Sequence, residues 1–325
     1  MSSFIFFQFL LGIILIGLGA NLLVNYTERL SSKLNISHFI SSFIFIGLAT
    51  SSPEIFVTIL TTINNESNIA VGNALGSNIA NIAFVFALSL LFVKINQNNT
   101  NLILSKEIIS FSTLLFLYII ILIPILWDSK IYVYESLILI AILIIFIGFN
   151  TKHLSKQKKK YIKANNDNVY FLLLLLIASL GILLTGTEFF LISAREFASY
   201  IGVSNYVIGL SITAIGSSLP ELAASIESIR KKNMDFIMGN ILGSNIFNIV
   251  IVIGLIGIIE GFLNTSSSEL LERKDVIRDI VMISVTTVAL ILVAKNYNSY
   301  FVKSMSIILL TSFVIYQINL YRFNV

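Results

Sequence analysis

Residues 47–82 read GLATSSPEIFVTILTTINNESNIAVGNALGSNIANI, and residues 214–249 read AIGSSLPELAASIESIRKKNMDFIMGNILGSNIFNI. The second stretch repeats the first without a gap at one constant offset, which matches Glu54 with Glu221 and Asn73 with Asn240. Between 50–82 and 217–249, thirteen of thirty-three positions are identical, Ser51/Ser218, Pro53/Pro220 and Asn81/Asn248 among them. An internal repeat of this kind has to be recognised before the fold is read. Each copy sets a carboxylate, hydroxyls, amides and a proline inside otherwise apolar sequence.

Working outward, the whole chain of 325 residues is 56% hydrophobic and only 12% charged, with mean hydropathy +0.92. Soluble domains carry about 25% charged residues, so the composition predicts an all-α polytopic membrane protein. Ten apolar segments are long enough to span a bilayer: 4–26, 37–63, 69–93, 108–127, 131–149, 169–192, 204–229, 236–262, 276–294 and 300–320. The first is expected to be a span and not a signal peptide, because it lacks a basic leader and carries Asn21 and Asn25. Asp128-Ser129-Lys130 alone separates the fourth and fifth, which predicts a tight hairpin. There is no cysteine, which removes disulfides, thiolate metal sites and thiol catalysis.

Residues 151–168 form the one sizeable hydrophilic linker, with Lys152, Lys156, Lys158, Lys159, Lys160 and Lys163. It divides an N-terminal half, 1–150, from a C-terminal half, 169–325, with five spans in each. Cytoplasmic loops are enriched in Lys and Arg. Placing this linker in the cytoplasm also places Arg29, Lys33, Lys94, Lys106, Arg230, Lys231, Lys232, Lys295 and Lys303 there, with both termini outside. The net charge of +4 therefore follows topology and gives no reason to expect a nucleic-acid partner. Five spans per half is an odd number, so the halves are expected to be inverted repeats, an organisation of secondary transporters.

A charged side chain at the bilayer centre costs about 2.5–3.5 kcal/mol on insertion scales. No Lys or Arg lies near Glu54 or Glu221 in the motif segments, so a bound cation or a proton remains as the compensating partner. Helical spacing puts Thr50 and Ser51 on a face with Glu54, and Ser217 and Ser218 on a face with Glu221. Ser77 with Asn81, and Ser244 with Asn248, are likewise four apart. Pro53 and Pro220 remove the amides that would bond the carbonyls of Ala49 and Gly216, which weakens each helix just before its glutamate. Gly72, Gly76, Gly239 and Gly243 offer small faces that let a facing helix approach. All donors are oxygen, a set suited to Ca²⁺ and Na⁺ and not to Zn²⁺ or Cu²⁺.

These residues resemble the cation/calcium antiporter superfamily, in its sodium/calcium exchanger branch of prokaryotic type, whose two alpha-repeats carry G-T-S-x-P-E and G-N-x-x-G-S-N. The resemblance implies electrogenic exchange of Na⁺ for Ca²⁺ by alternating access. It also implies that Glu54 and Glu221 are the central Ca²⁺ ligands. Thr50, Ser51, Ser77, Ser217, Ser218 and Ser244, with backbone oxygens near Gly47 and Ala214, would take Na⁺, and Asn81 and Asn248 complete the ligand set. Ser217 departs from the usual Thr, and Asn248 stands where potassium-dependent relatives have Asp, which argues against potassium coupling. No cofactor and no obligate protein partner is expected beyond the two ions and the bilayer.

Three other readings keep part of this pattern. The same fold could couple Ca²⁺ to protons, since glutamates protonate. A passive channel could be built from the same ligands. An intramembrane hydrolase lacks a base: His38 is the one histidine near a span, and the motif segments offer no aspartyl dyad. A transporter and not an enzyme is therefore expected.

Overall fold

The computed structural model describes residues 3–92, 106–127, 130–154, 168–202, 214–263, 273–295 and 298–323, and every regular element among them is helical. In chain order these are α1 (Ser3–Leu34), α2 (His38–Thr50), α3 (Ser52–Ile63), α4 (Ser67–Phe92), α5 (Lys106–Ile125) and α6 (Val133–Leu154). There follow α7 (Val169–Tyr200), α8 (Ala214–Ser217), α9 (Leu219–Arg230), α10 (Met234–Leu263), α11 (Arg273–Lys295) and α12 (Ser299–Phe323).

Among the described residues, seven helices are individually long and apolar enough to cross a membrane: α1, α4, α5, α7, α10, α11 and α12. The expected second span is a pair, α2 and α3, bent by 43° at Ser51. The expected fifth is a shorter apolar helix over Val133–Phe149. Of the expected seventh, the structure describes α8 and α9, and residues 204–213 lie outside the described residues. So do most of the lysine linker and Asp128-Ser129 of the hairpin.

Burial sorts the helices into layers. The apolar windows of α4 and α10 are mostly buried, whereas α1 and α7 turn most of their surface outward. Phe4, Phe6, Ile14 and Leu18 on α1, with Tyr170, Leu174 and Ile177 on α7, are exposed and present an apolar face of the kind a bilayer covers. These two helices pack along each other at backbone contact: a Cβ on Gly19 would sit 2.5 Å from Leu183 N, and one on Gly186 2.6 Å from Ile16 N. Only glycine permits such an approach.

Inside that layer, α2–α3, α4, α8–α9 and α10 surround a polar centre. The two copies turn in the same way between their helices. Asn65 and Lys232, at matched positions, both take positive φ (62° and 55°). Glu66 N then bonds Thr61 O at 2.8 Å, and Asn233 N bonds Ser228 O at 3.0 Å. This is the left-handed cap that ends helices, and it delivers each chain directly into the next helix of the site.

Candidate ion-binding site

Each glutamate stands just beyond a break. Ser51 (φ −81°, ψ 1°) separates α2 from α3, and Ser218 (φ −94°, ψ 8°) separates α8 from α9. The prolines fall in the first turn of α3 and α9, where their missing N–H costs nothing. Glu54 and Glu221 follow in those first turns, at the positive ends of the helix dipoles. The carbonyl that Pro53 frees does not stay open: Ser52 Oγ donates to Ala49 O at 2.5 Å. Leu219, at the matching place in the second copy, has no hydroxyl to give.

The facing wall comes from α10, whose glycines seat it on α2. A Cβ on Gly239 would lie 2.5 Å from Phe39 O, and one on Gly243 2.5 Å from Phe43 O. The expectation of a close seam holds there. It differs at Gly76, which has nothing within 4 Å of its Cβ position. Across the α2–α10 seam, Thr50 Oγ1 and Ser244 Oγ are 3.0 Å apart, and each also lies 3.4 Å from the Gly47 carbonyl, so the two protons are shared among these acceptors. Ser51 Oγ donates to Ser244 O at 3.5 Å. Residues nearly 200 positions apart thus form one cluster of oxygens.

Glu54 and Glu221 are fully buried and within electrostatic reach of each other. Ser77 Oγ donates to Glu54 Oε1 at 3.2 Å. Glu54 Oε2 and both Glu221 carboxylate oxygens have no hydrogen-bond partner, and no ion pair reaches either residue among the described residues. Ser218 Oγ is buried without a partner, as are both side-chain atoms of Asn81 and of Asn248. Native structures rarely leave so many buried polar atoms open. The open oxygens among them, from Glu54, Glu221, Ser218, Asn81 and Asn248, are of the kind that can ligate a hard cation, whereas the two asparagine nitrogens are donors. No group of three or more His, Cys, Asp or Glu side chains converges among the described residues. The available charge is two carboxylates, and the remaining donors are neutral.

Asn81 and Asn248 each open a π-helical turn, over Asn81–Phe86 and Asn248–Ile253. The wider turn inserts a residue into the helix, a feature that recurs at functional sites. Ala214 opens α8, and Ser217 closes it.

The profile of the sodium/calcium exchanger protein family matches residues 4–152 and 171–322. The chain belongs to the sodium/calcium exchanger family. Membrane protein MJ0091 of Methanocaldococcus jannaschii is 33% identical over 241 residues, covering 74% of this chain and 77% of that protein. The sodium/calcium exchanger MaX1 of Methanosarcina acetivorans is 24% identical over 290 residues, covering 78% and 82%. A solved structure of the sodium-calcium exchanger NCX_Mj, soaked with Na⁺ and Sr²⁺, superposes with a TM-score of 0.75 at 27% identity, covering 97% of this chain and 98% of that one. The chain is therefore a multi-pass membrane protein with the all-helical fold of NCX_Mj, in a family of cation/calcium antiporters and not of enzymes.

Asn240 stands outside the expected ligand set, yet it bonds across the site. Its Nδ2 donates to Glu221 O at 3.0 Å and to Ser225 Oγ at 3.1 Å, and its Oδ1 accepts from Thr50 at 3.3 Å. The repeated Gly-Asn pair was the signal for it, but partners so distant in sequence carry no local mark.

Proposed function

We propose that this exchanger moves Ca²⁺ against Na⁺ by alternating access, electrogenically, through a site centred on Glu54 and Glu221. Thr50, Ser51, Ser77, Ser217, Ser218 and Ser244, the Gly47 and Ala214 carbonyls, and Asn81 and Asn248 supply the neutral oxygens. The observation that carries the reading is the pair of buried carboxylates with no cationic side chain paired to them among the described residues. Desolvating a carboxylate costs several kcal/mol unless a counter-charge is present. One Ca²⁺ neutralises the pair, which can instead be shared among two or more Na⁺, so the two loads exclude each other, and more than two Na⁺ per Ca²⁺ make the exchange electrogenic. Either load discharges the site and lets it turn over, whereas the empty charged site resists crossing.

The same reading places the linker 151–168 in the cytoplasm, with both termini outside and the halves 1–150 and 169–325 related by inversion. Its support is the skew of Lys and Arg along the sequence, together with the matched breaks and caps of the two copies.

In proteoliposomes loaded with Na⁺, the protein should accumulate ⁴⁵Ca²⁺, and Glu54→Gln or Glu221→Gln should abolish accumulation. Uptake that survives both substitutions would end the proposal. Proton coupling through the same carboxylates is the second reading, favoured by the open Glu54 Oε2 and Glu221 oxygens that could hold a proton. A pH jump in Na⁺-free vesicles decides it: Ca²⁺ flux supports proton drive and displaces Na⁺ coupling, and no flux excludes it.

A further inference from the structure

Asn73 and Asn240 occupy matched places in the two copies, yet the structure holds them differently. Asn240 is fully buried and bonds the Glu221 carbonyl, Ser225 and Thr50. Asn73 Nδ2 is buried with no hydrogen-bond partner, and so is the hydroxyl of Thr58, the residue that matches Ser225. Thr58 lies on α3 one turn beyond Glu54. Neighbouring hydroxyls show the usual resolution, bonding back to their own helix: Thr61 to Val57 O at 2.9 Å, and Ser228 to Ala224 O at 2.7 Å. Thr58 does not take it. A buried polar group left open costs about 1–3 kcal/mol. In the first copy, two such groups are open where the second copy makes a bond.

We propose that Asn73 and Asn240 are positioning residues that clamp the glutamate helices by turns. Asn240 holds Ser225 and the Glu221 backbone in this conformation, and Asn73 takes Thr58 and the Glu54 backbone in the opposite one. The proposal rests on the carrier reading of the preceding section. Opening one clamp as the other closes conserves the number of bonds, so the two end states stay close in free energy, as a reversible carrier requires. It also shifts the backbone beneath one glutamate at a time.

The test measures the Ca²⁺ KM at each membrane face in oriented proteoliposomes by ⁴⁵Ca²⁺ self-exchange, which needs no coupling ion. Asn240→Ala disfavours the present state and Asn73→Ala disfavours the opposite one. The ratio of the two KM values should therefore move in opposite directions, by roughly 3- to 10-fold, the effect of one or two lost hydrogen bonds. The double variant should return to within about twofold of the parent. Ser225→Ala should follow the sign of Asn240→Ala, and Thr58→Val that of Asn73→Ala. These two keep both asparagines and decide the matter even where an alanine variant fails to fold. Shifts of the same sign, or none, overturn the clamp. A parent that self-exchanges Ca²⁺ yet accumulates none against an outward Na⁺ gradient defeats the Na⁺ reading and leaves the KM ratios to judge the clamp alone.

Discussion

Gly243→Ala tests the seam on which the site is built. A Cβ on residue 243 would stand 2.5 Å from the Phe43 carbonyl oxygen and 3.1 Å from Gly47 Cα. Both neighbours are backbone of α2 and cannot swing aside as a side chain would. The helices must part by about 1 Å to restore an ordinary contact of 3.4 Å. Overpacking of this kind costs about 1–3 kcal/mol. The Thr50–Ser244 pair at 3.0 Å and the Ser244–Gly47 bond at 3.4 Å cross the same seam, and both would pass out of hydrogen-bond range. The variant should unfold at a lower temperature in detergent and show a Ca²⁺ KM raised about tenfold, given how steeply activity falls with ångström-scale misplacement. Gly76→Ala is the matched control: its Cβ meets nothing within 4 Å, and alanine is about 1 kcal/mol better than glycine within a helix. It should be neutral or stabilising. Thermal unfolding of both variants, alongside ⁴⁵Ca²⁺ uptake, decides the matter. Equal unfolding temperatures for the two would refute the reasoning.

Glu54→Gln and Glu221→Gln should each raise the unfolding temperature in ion-free buffer, because the amide keeps the shape and removes a buried charge that has no cationic partner; a fall would contradict the account of the site. Chelating Ca²⁺ from the parent should lower its unfolding temperature, since ligand at a hundred times Kd contributes about 2.7 kcal/mol, and the Glu221→Gln variant should show no such response. Arg278→Met strips buried Asp279 of its guanidinium partner at 2.8 Å and leaves only the Tyr316 hydroxyl at 2.9 Å. Denaturation should register a loss of about 1–3 kcal/mol, with the Ca²⁺ KM unchanged because this cluster lies on α11 and α12.

The parts of the site that could be read from sequence are those with short-range chemistry. Pro53 and Pro220 announce the breaks, because a missing amide acts within four residues. Glu54 and Glu221 stand out because a charge in an apolar run has few partners. The α2–α10 seam was legible in Gly239 and Gly243, but the open face at Gly76 was not, since the two copies share the same glycine and differ only in what faces it. Ser52 and Leu219 differ between the copies, and nothing local marks that the Ser52 hydroxyl fills the carbonyl that Pro53 frees. The contrast between Asn240 and Asn73 is likewise invisible in two identical residues, because it resides in the conformation the chain has adopted. The expected second span is bent by 43° at Ser51, so hydropathy marked its presence better than its geometry.

The π-helical turns at Asn81 and Asn248 have one more effect. An extra residue in a single turn slips the angular phase of everything after it by about 100°. The half of α4 before Asn81 can therefore aim Ser77 at Glu54, while the half after it aims Phe84 at Phe313 of α12, with ring centroids 5.5 Å apart. Each of these long helices serves two masters whose demands one uninterrupted wheel could not meet, and shortening either by one residue within that turn would set its two ends at odds.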